Sequence, residues 1–154
     1  MPSFTLEKHV DAPPERVFAA ATDFRRAPET IRGIVRMEIL TEGPVGVGTR
    51  FKETRVMFKR EATEEMQVTR FDPPHGYELT CENHGCRYVT TFRMQPRGAG
   101  TDVEMTFDVT PLTTPAKVMG FLMRPLMKSC LKEIAKDLED LAAAVEVREE
   151  AVAT

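Results

Sequence analysis

Glu53 and Arg55 stand two residues apart in the run Arg50-Phe51-Lys52-Glu53-Thr54-Arg55-Val56-Met57, so in an extended chain they share one face. A carboxylate and a guanidinium so placed can pair, survive away from water and orient a polar group of a bound molecule. At a sheet rim, in water, the same pair is worth very little. Apolar counting leaves both readings open, because Phe51 and Met57 lie on the Glu53 face while Val56 and Phe58 lie on the other. A second cluster, Cys81-x2-His84-x-Cys86 with His75 upstream, brings soft metal ligands together. A closed zinc site needs four ligands, and strand alternation sends Cys81 and His84 to opposite faces unless the turn reverses them. No metal is expected there. The chain has no G-x-S-x-G, no P-loop and no dinucleotide fingerprint. His9 has no nucleophile near it in sequence, and alternation points it away from Phe4, Leu6 and Val10. A catalytic triad is unsupported, and no cofactor is expected.

The elements that must position these residues belong to one domain. A chain of 154 residues with 42% hydrophobic and 29% charged residues has apolar material for one core and too little charge imbalance for disorder. We place that domain over residues 1–148, with a frayed tail over 149–154. Twenty-one basic against 24 acidic side chains give a formal charge of −3, without the positive field that nucleic acid demands. No run approaches the roughly 18 apolar residues of a membrane span, and charges interrupt the N-terminal stretch where a signal peptide is apolar. Stable membrane insertion is therefore not expected. Three cysteines fit no disulfide framework, so Cys81, Cys86 and Cys130 are read as thiols in the reducing cytoplasm.

Two-residue periodicity marks strands at Ser3 to Asp11, Ile34 to Thr41, Thr49 to Phe58, Ala62 to Phe71, Tyr77 to Glu82, Arg87 to Met94 and Thr101 to Thr110. Turns rich in Gly and Pro separate them, including Glu42 to Gly48, Asp72 to Gly76 and Pro96 to Gly100. Between the first two strands, Pro13 and Pro14 start a short helix carrying Val17, Phe18, Ala21 and Phe24. A second brief helix over Glu29 to Arg32 is expected to close on a left-handed Gly33. After Pro115 the period becomes helical. Met119, Leu122, Met123, Leu126, Met127, Cys130, Ile134, Leu138, Leu141 and Val145 form one stripe, opposite a basic edge of Lys117, Arg124, Lys128, Lys132 and Lys136. That edge is offset by Glu133, Asp137 and Asp140. One helix from Pro115 to Val147 would span roughly 50 Å, and Pro125 is where it should bend.

This order, strand, two short helices, six strands and a long C-terminal helix, resembles the helix-grip fold of the START/Bet v 1-like (SRPBCC) superfamily, which includes the polyketide cyclases. The resemblance is carried by Val10-Asp11-Ala12-Pro13-Pro14-Glu15-Arg16-Val17-Phe18, Gly46-Val47-Gly48-Thr49, Phe71-Asp72-Pro73-Pro74 and Gly98-Ala99-Gly100-Thr101-Asp102-Val103. It implies an α+β fold in which a curved seven-stranded antiparallel sheet grips the long helix around a ligand cavity. Matching Gly48-Thr49 to the family's turn implies that Phe51, Glu53, Arg55 and Met57 point inward. By the same resemblance Met66, Leu79, Cys81, Tyr88, Thr90, Phe92, Met105 and Phe107 face the cavity. Met119, Leu122, Met123, Leu126 and Met127 would close it from the helix, with Ile34 beside the short helices. The bland alternative is that all of these are ordinary core residues.

The function so implied is binding, extending to transport, of a small hydrophobic molecule such as a lipid, isoprenoid, quinone or aromatic polyketide. An alternative is a cyclase or dehydratase in which Glu53, Arg55 or Tyr88 moves a proton or stabilises an enolate. A third reading is a protein-interaction module whose sheet edge or helix edge engages another protein.

Overall fold

The computed structural model describes residues 3–83 and 85–153, with backbone alone for residues 124 and 147–153. All seven expected strands are present: β1 Ser3–Val10, β2 Ile34–Ile39, β3 Arg50–Met57, β4 Arg60–Asp72, β5 Gly76–Asn83, β6 Cys86–Arg97 and β7 Gly100–Pro111. They form one antiparallel sheet in the order β1-β7-β6-β5-β4-β3-β2. The chain therefore meanders from β2 to β7, and β7 then pairs with β1. Helices α1 Pro14–Ala21 and α2 Ala27–Thr30 fill the connection from β1 to β2, joined by a 3₁₀ turn at Phe24–Arg26. Pro14 opens α1 and Pro28 lies in the first turn of α2, where a missing N–H costs no helical hydrogen bond. The Thr101 hydroxyl, fully buried on β7, donates to the Ala12 carbonyl at 2.7 Å and fixes the entry to α1.

Two expectations about helix ends need correction. The second short helix ends at Thr30, and Gly33 is not in the left-handed region occupied by Gly43, Gly48, Gly85 and Gly98. Its lack of a side chain matters for another reason: a Cβ at Gly33 would lie 3.1 Å from Nη1 of Arg55. The C-terminal helix is two helices, α3 Thr114–Leu122 and α4 Arg124–Ala153. Pro125 does not bend a continuous rod. It sits in the first turn of α4, and the amides of Leu126 and Met127 return to the carbonyl of Met123 at 3.0 and 3.2 Å. A proline that cannot donate to the preceding turn is accommodated by starting a new helix.

Only the later part of α4 is gripped. Leu138, Leu141, Ala142 and Val145 join Val10, Val17, Phe18, Val68 and Val103 in the core. Three acids on this half tie it down: Asp137 to Arg55 at 2.7 Å, Asp140 to Arg32 at 2.9 Å, and Glu146 to the backbone N–H of Asp11 at 3.1 Å. Most large apolar residues of α3 and Leu126 at the start of α4 face outward, with Met119 58% and Leu122 65% exposed, while Ala116 of α3 is buried.

Candidate functional site

Between α4 and the concave face of the sheet lies a cavity of about 310 Å³. Its floor comes from alternate residues of the central strands: Phe51, Glu53, Arg55 and Met57 on β3, Ala62, Glu64 and Met66 on β4, Tyr77 and Leu79 on β5, and Thr90 and Phe92 on β6. Met105 and Phe107 of β7 complete it. Alternation at period two delivers every second side chain to this face. On α4, Ile134, Asp137, Leu138 and Leu141 form the roof, at the i, i+3, i+4, i+7 spacing of a single helix face. Aromatic stacking stiffens the wall, with Phe24 on Phe51 at 4.5 Å between ring centres and Tyr77 on Phe92 at 4.7 Å.

A charged cluster centred on Arg55, with Asp23 and Glu64 apart from it, interrupts this apolar surface. Arg55 meets Asp137 as a fork, Nη1 to Oδ1 at 3.0 Å and Nη2 to Oδ2 at 2.7 Å. It also donates to Oε1 of Glu53 from Nη2 at 2.8 Å and from Nε at 3.2 Å. The cluster thus pins α4 to β3 across the cavity. Glu53 is 8% exposed, and burial lifts its carboxyl above the usual 4.5 against the opposing pull of Arg55. Asp137 is raised above 3.8 for the same reason. Burial alone would lower Arg55, but Asp137 and Glu53 together hold it above its ordinary value, so it stays charged. Burial, then the charges of Glu53 and Asp137, push Tyr77 up, so it remains a phenol.

The shifted carboxyls set the sign of a pH effect. Groups whose folded pKa is raised bind protons more readily folded than unfolded, so their stabilising contribution is complete below the unfolded pKa and is lost as pH rises through the folded value. Stability of the wild-type chain should therefore increase as pH falls from neutral toward 4.5. Urea midpoints measured across that range should show a flatter pH dependence in Glu53→Gln/Asp137→Asn; an unchanged slope would place both carboxyls in water. Asp102 acts in the opposite sense, because His9 first and then Arg97 hold it below 3.8, so its contribution is lost only on further acidification.

The expected site residues divide cleanly. Ile34, Phe51, Glu53, Arg55, Met57, Met66, Leu79, Thr90, Phe92, Met105 and Phe107 all line the cavity. Cys81 and Tyr88 lie on the expected face but beyond the cavity's end. Cys81 is buried against Glu64, its Sγ 3.6 Å from Oε2, and burial and that carboxylate push its thiol up to about 12. Tyr88 stacks on Phe107 at 5.9 Å, and burial, then Cys86, raise its hydroxyl to about 12. Alternation fixes which face a residue takes, not how far along the strand the cavity reaches. Met119, Leu122, Met123, Leu126 and Met127 are outside the lining as well, because the helical run breaks at Met123 and the roof is formed one segment later. His84 lies outside the described residues, and among those described no three His, Cys, Asp or Glu side chains are grouped to hold a metal.

Sequence reasoning missed several lining residues, among them the carboxyls Asp23, Glu64 and Asp137, the phenol Tyr77 and the apolar Met37, Ile134, Leu138 and Leu141. Tyr77 has the parity of Leu79. Glu64 is the cross-strand partner of Glu53, visible once the β3–β4 register is known. Asp137 carries a fainter signal: it is a charge flanked by Ile134, Leu138 and Leu141 on the apolar stripe.

A curved sheet wrapped on a C-terminal helix has counterparts among solved structures. The profile of the family described as polyketide cyclase / dehydrase and lipid transport matches residues 1–146. The chain belongs to that family. Among solved structures it is similar to the Zhui aromatase/cyclase from Streptomyces sp. R1128, with a TM-score of 0.80 and 15% identity over 96% of this chain and 94% of that one. It is also similar to TTHA0849 from Thermus thermophilus, with a TM-score of 0.78 and 23% identity over 96% and 99%. Ara h 8.0201 aligns with a TM-score of 0.63 and 20% identity over 92% and 98%. At these identities the likeness is one of fold. A search of curated proteins finds no match. Among the described residues, no helix of this family member is long and apolar enough to cross a membrane.

Proposed function

We propose that the chain binds, and carries through the cytoplasm, a small hydrophobic molecule with a polar end, of the lipid, isoprenoid, quinone or aromatic polyketide kind. The observation that supports this reading is the cavity of about 310 Å³ between α4 and the sheet, whose wall is apolar apart from a few convergent polar groups. Burial at about 25 cal/mol per Å² of apolar surface supplies the affinity, less the cost of association. Thr90 and the carboxyls beside Arg55 orient the polar end. Native mass spectrometry of gently purified protein tests the proposal. The expected spectrum contains protein with one co-purified apolar molecule, which is lost in Leu79→Trp, a change that fills the cavity. Identical guest-free spectra for wild type and variant, with no uptake of added decanol, would overturn it.

A second reading, a cyclase or dehydratase, is supported by Glu53, a carboxyl raised by burial on the wall of an apolar cavity and thus suited to hold a proton for a bound carbonyl. Tyr88 no longer contributes to that reading, since it lies outside the cavity lining. Arg55 is held by its two carboxylate partners.

A further inference from the structure

The charged groups around the cavity do not balance. Asp23, Glu53, Glu64 and Asp137 supply four carboxyls to the lining, whereas Arg55 is its one cation among the described residues. That cation is already engaged. Of the five N–H groups on a guanidinium, four of Arg55's donate to Glu53 and Asp137. All the bonds reaching Glu53 end on Oε1, so Oε2 has no hydrogen bond among the described residues although the side chain is only 9% exposed. A buried acceptor without a donor is costly. Glu64 stands directly opposite Glu53 in the β3–β4 register, and like charges at facing positions repel. Its own donors are weak and neutral, the Cys81 thiol at 3.6 Å and the Asn83 amide at 3.3 Å.

We propose that the cavity takes an apolar molecule ending in a protonated amine, with the ammonium seated between Glu53 and Glu64. The assignment rests on the carrier reading above and names its ligand class. A primary ammonium brings three donors and a positive charge, which satisfies the free oxygen of Glu53 and relieves its repulsion with Glu64. A fatty-acid carboxylate would meet four carboxyls and a guanidinium with one N–H to spare, so the same surface selects against it. A neutral alcohol falls between the two.

Calorimetric titration of the full chain at neutral pH with decylamine, decanol and decanoate, each below its micellar range, tests this. Decylamine is expected to bind about tenfold more tightly than decanol, as a charge-assisted hydrogen bond provides, and decanoate most weakly. In Glu53→Gln the amine-to-alcohol ratio should fall to about one. Glu64→Gln, which removes the more exposed member of the pair, should lower it several-fold. Equal binding of amine and alcohol by the wild type, or a preference that survives both substitutions, would overturn the assignment while leaving the carrier reading intact. Failure of all three probes to bind would overturn both.

Discussion

Replacing Arg55 by Leu should cost about 3–5 kcal/mol of stability at neutral pH, the usual penalty for stranding buried charges. The guanidinium is the shared partner of Glu53 and Asp137, and without it two desolvated carboxyls face each other between β3 and α4. The loss should shrink on acidification, as those carboxyls take up protons more readily than they would in water. Replacing all three together, Glu53→Leu/Arg55→Leu/Asp137→Leu, should recover most of the deficit, because an apolar trio of similar volume needs no desolvation. Urea unfolding of both variants checks the pair of expectations. A cost below about 1 kcal/mol for Arg55→Leu would mean that the cluster behaves as an exposed surface pair.

Phe51→Ala should be comparably damaging, about 3–5 kcal/mol. The ring is 1% exposed, stacks on Phe24 and forms part of the cavity wall. Its loss removes both buried area and the stacking contact that holds the 3₁₀ turn between α1 and α2 against β3. Phe51→Leu, which keeps most of the volume, should cost less than about 1.5 kcal/mol. The functional consequence is a larger void: the Ala variant should favour dodecanol over decanol more strongly than wild type does. Loss of stability without a change in chain-length preference would show that the ring belongs to the core alone.

Particular residues show what the sequence could reveal. Strand alternation is local, so it placed Phe51, Glu53, Arg55 and Met57 on one face, and only the resemblance of Gly48-Thr49 to the family's turn implied that this face points inward. Every one of them lines the cavity. The helix was harder. A 3.6-residue stripe identifies side chains that share a face, but not what that face meets. Met119 and Leu138 belong to the same stripe, yet one is 58% exposed and the other 4%. The break at Met123 separates them, and Pro125 signalled an interruption without signalling that the segments would differ in contact. Asp137 was hidden by distance: its partner is 82 residues away along the chain, and on the helix alone it looks like one more charge tempering a basic edge. Glu64 was hidden by register, since its apposition with Glu53 exists only once β3 and β4 have paired.

The methionines offer a direct test of the central claim, that the space beneath α4 receives an apolar guest. Met37, Met57, Met66 and Met105 line the cavity, whereas Met119 and Met123 are exposed on α3 and at its end. With methyl-labelled methionine, an NMR titration with decanol should shift the four cavity signals, saturate at one equivalent and leave Met119 and Met123 unmoved. Shifts confined to Met119 and Met123, or cavity signals that never respond, would contradict it.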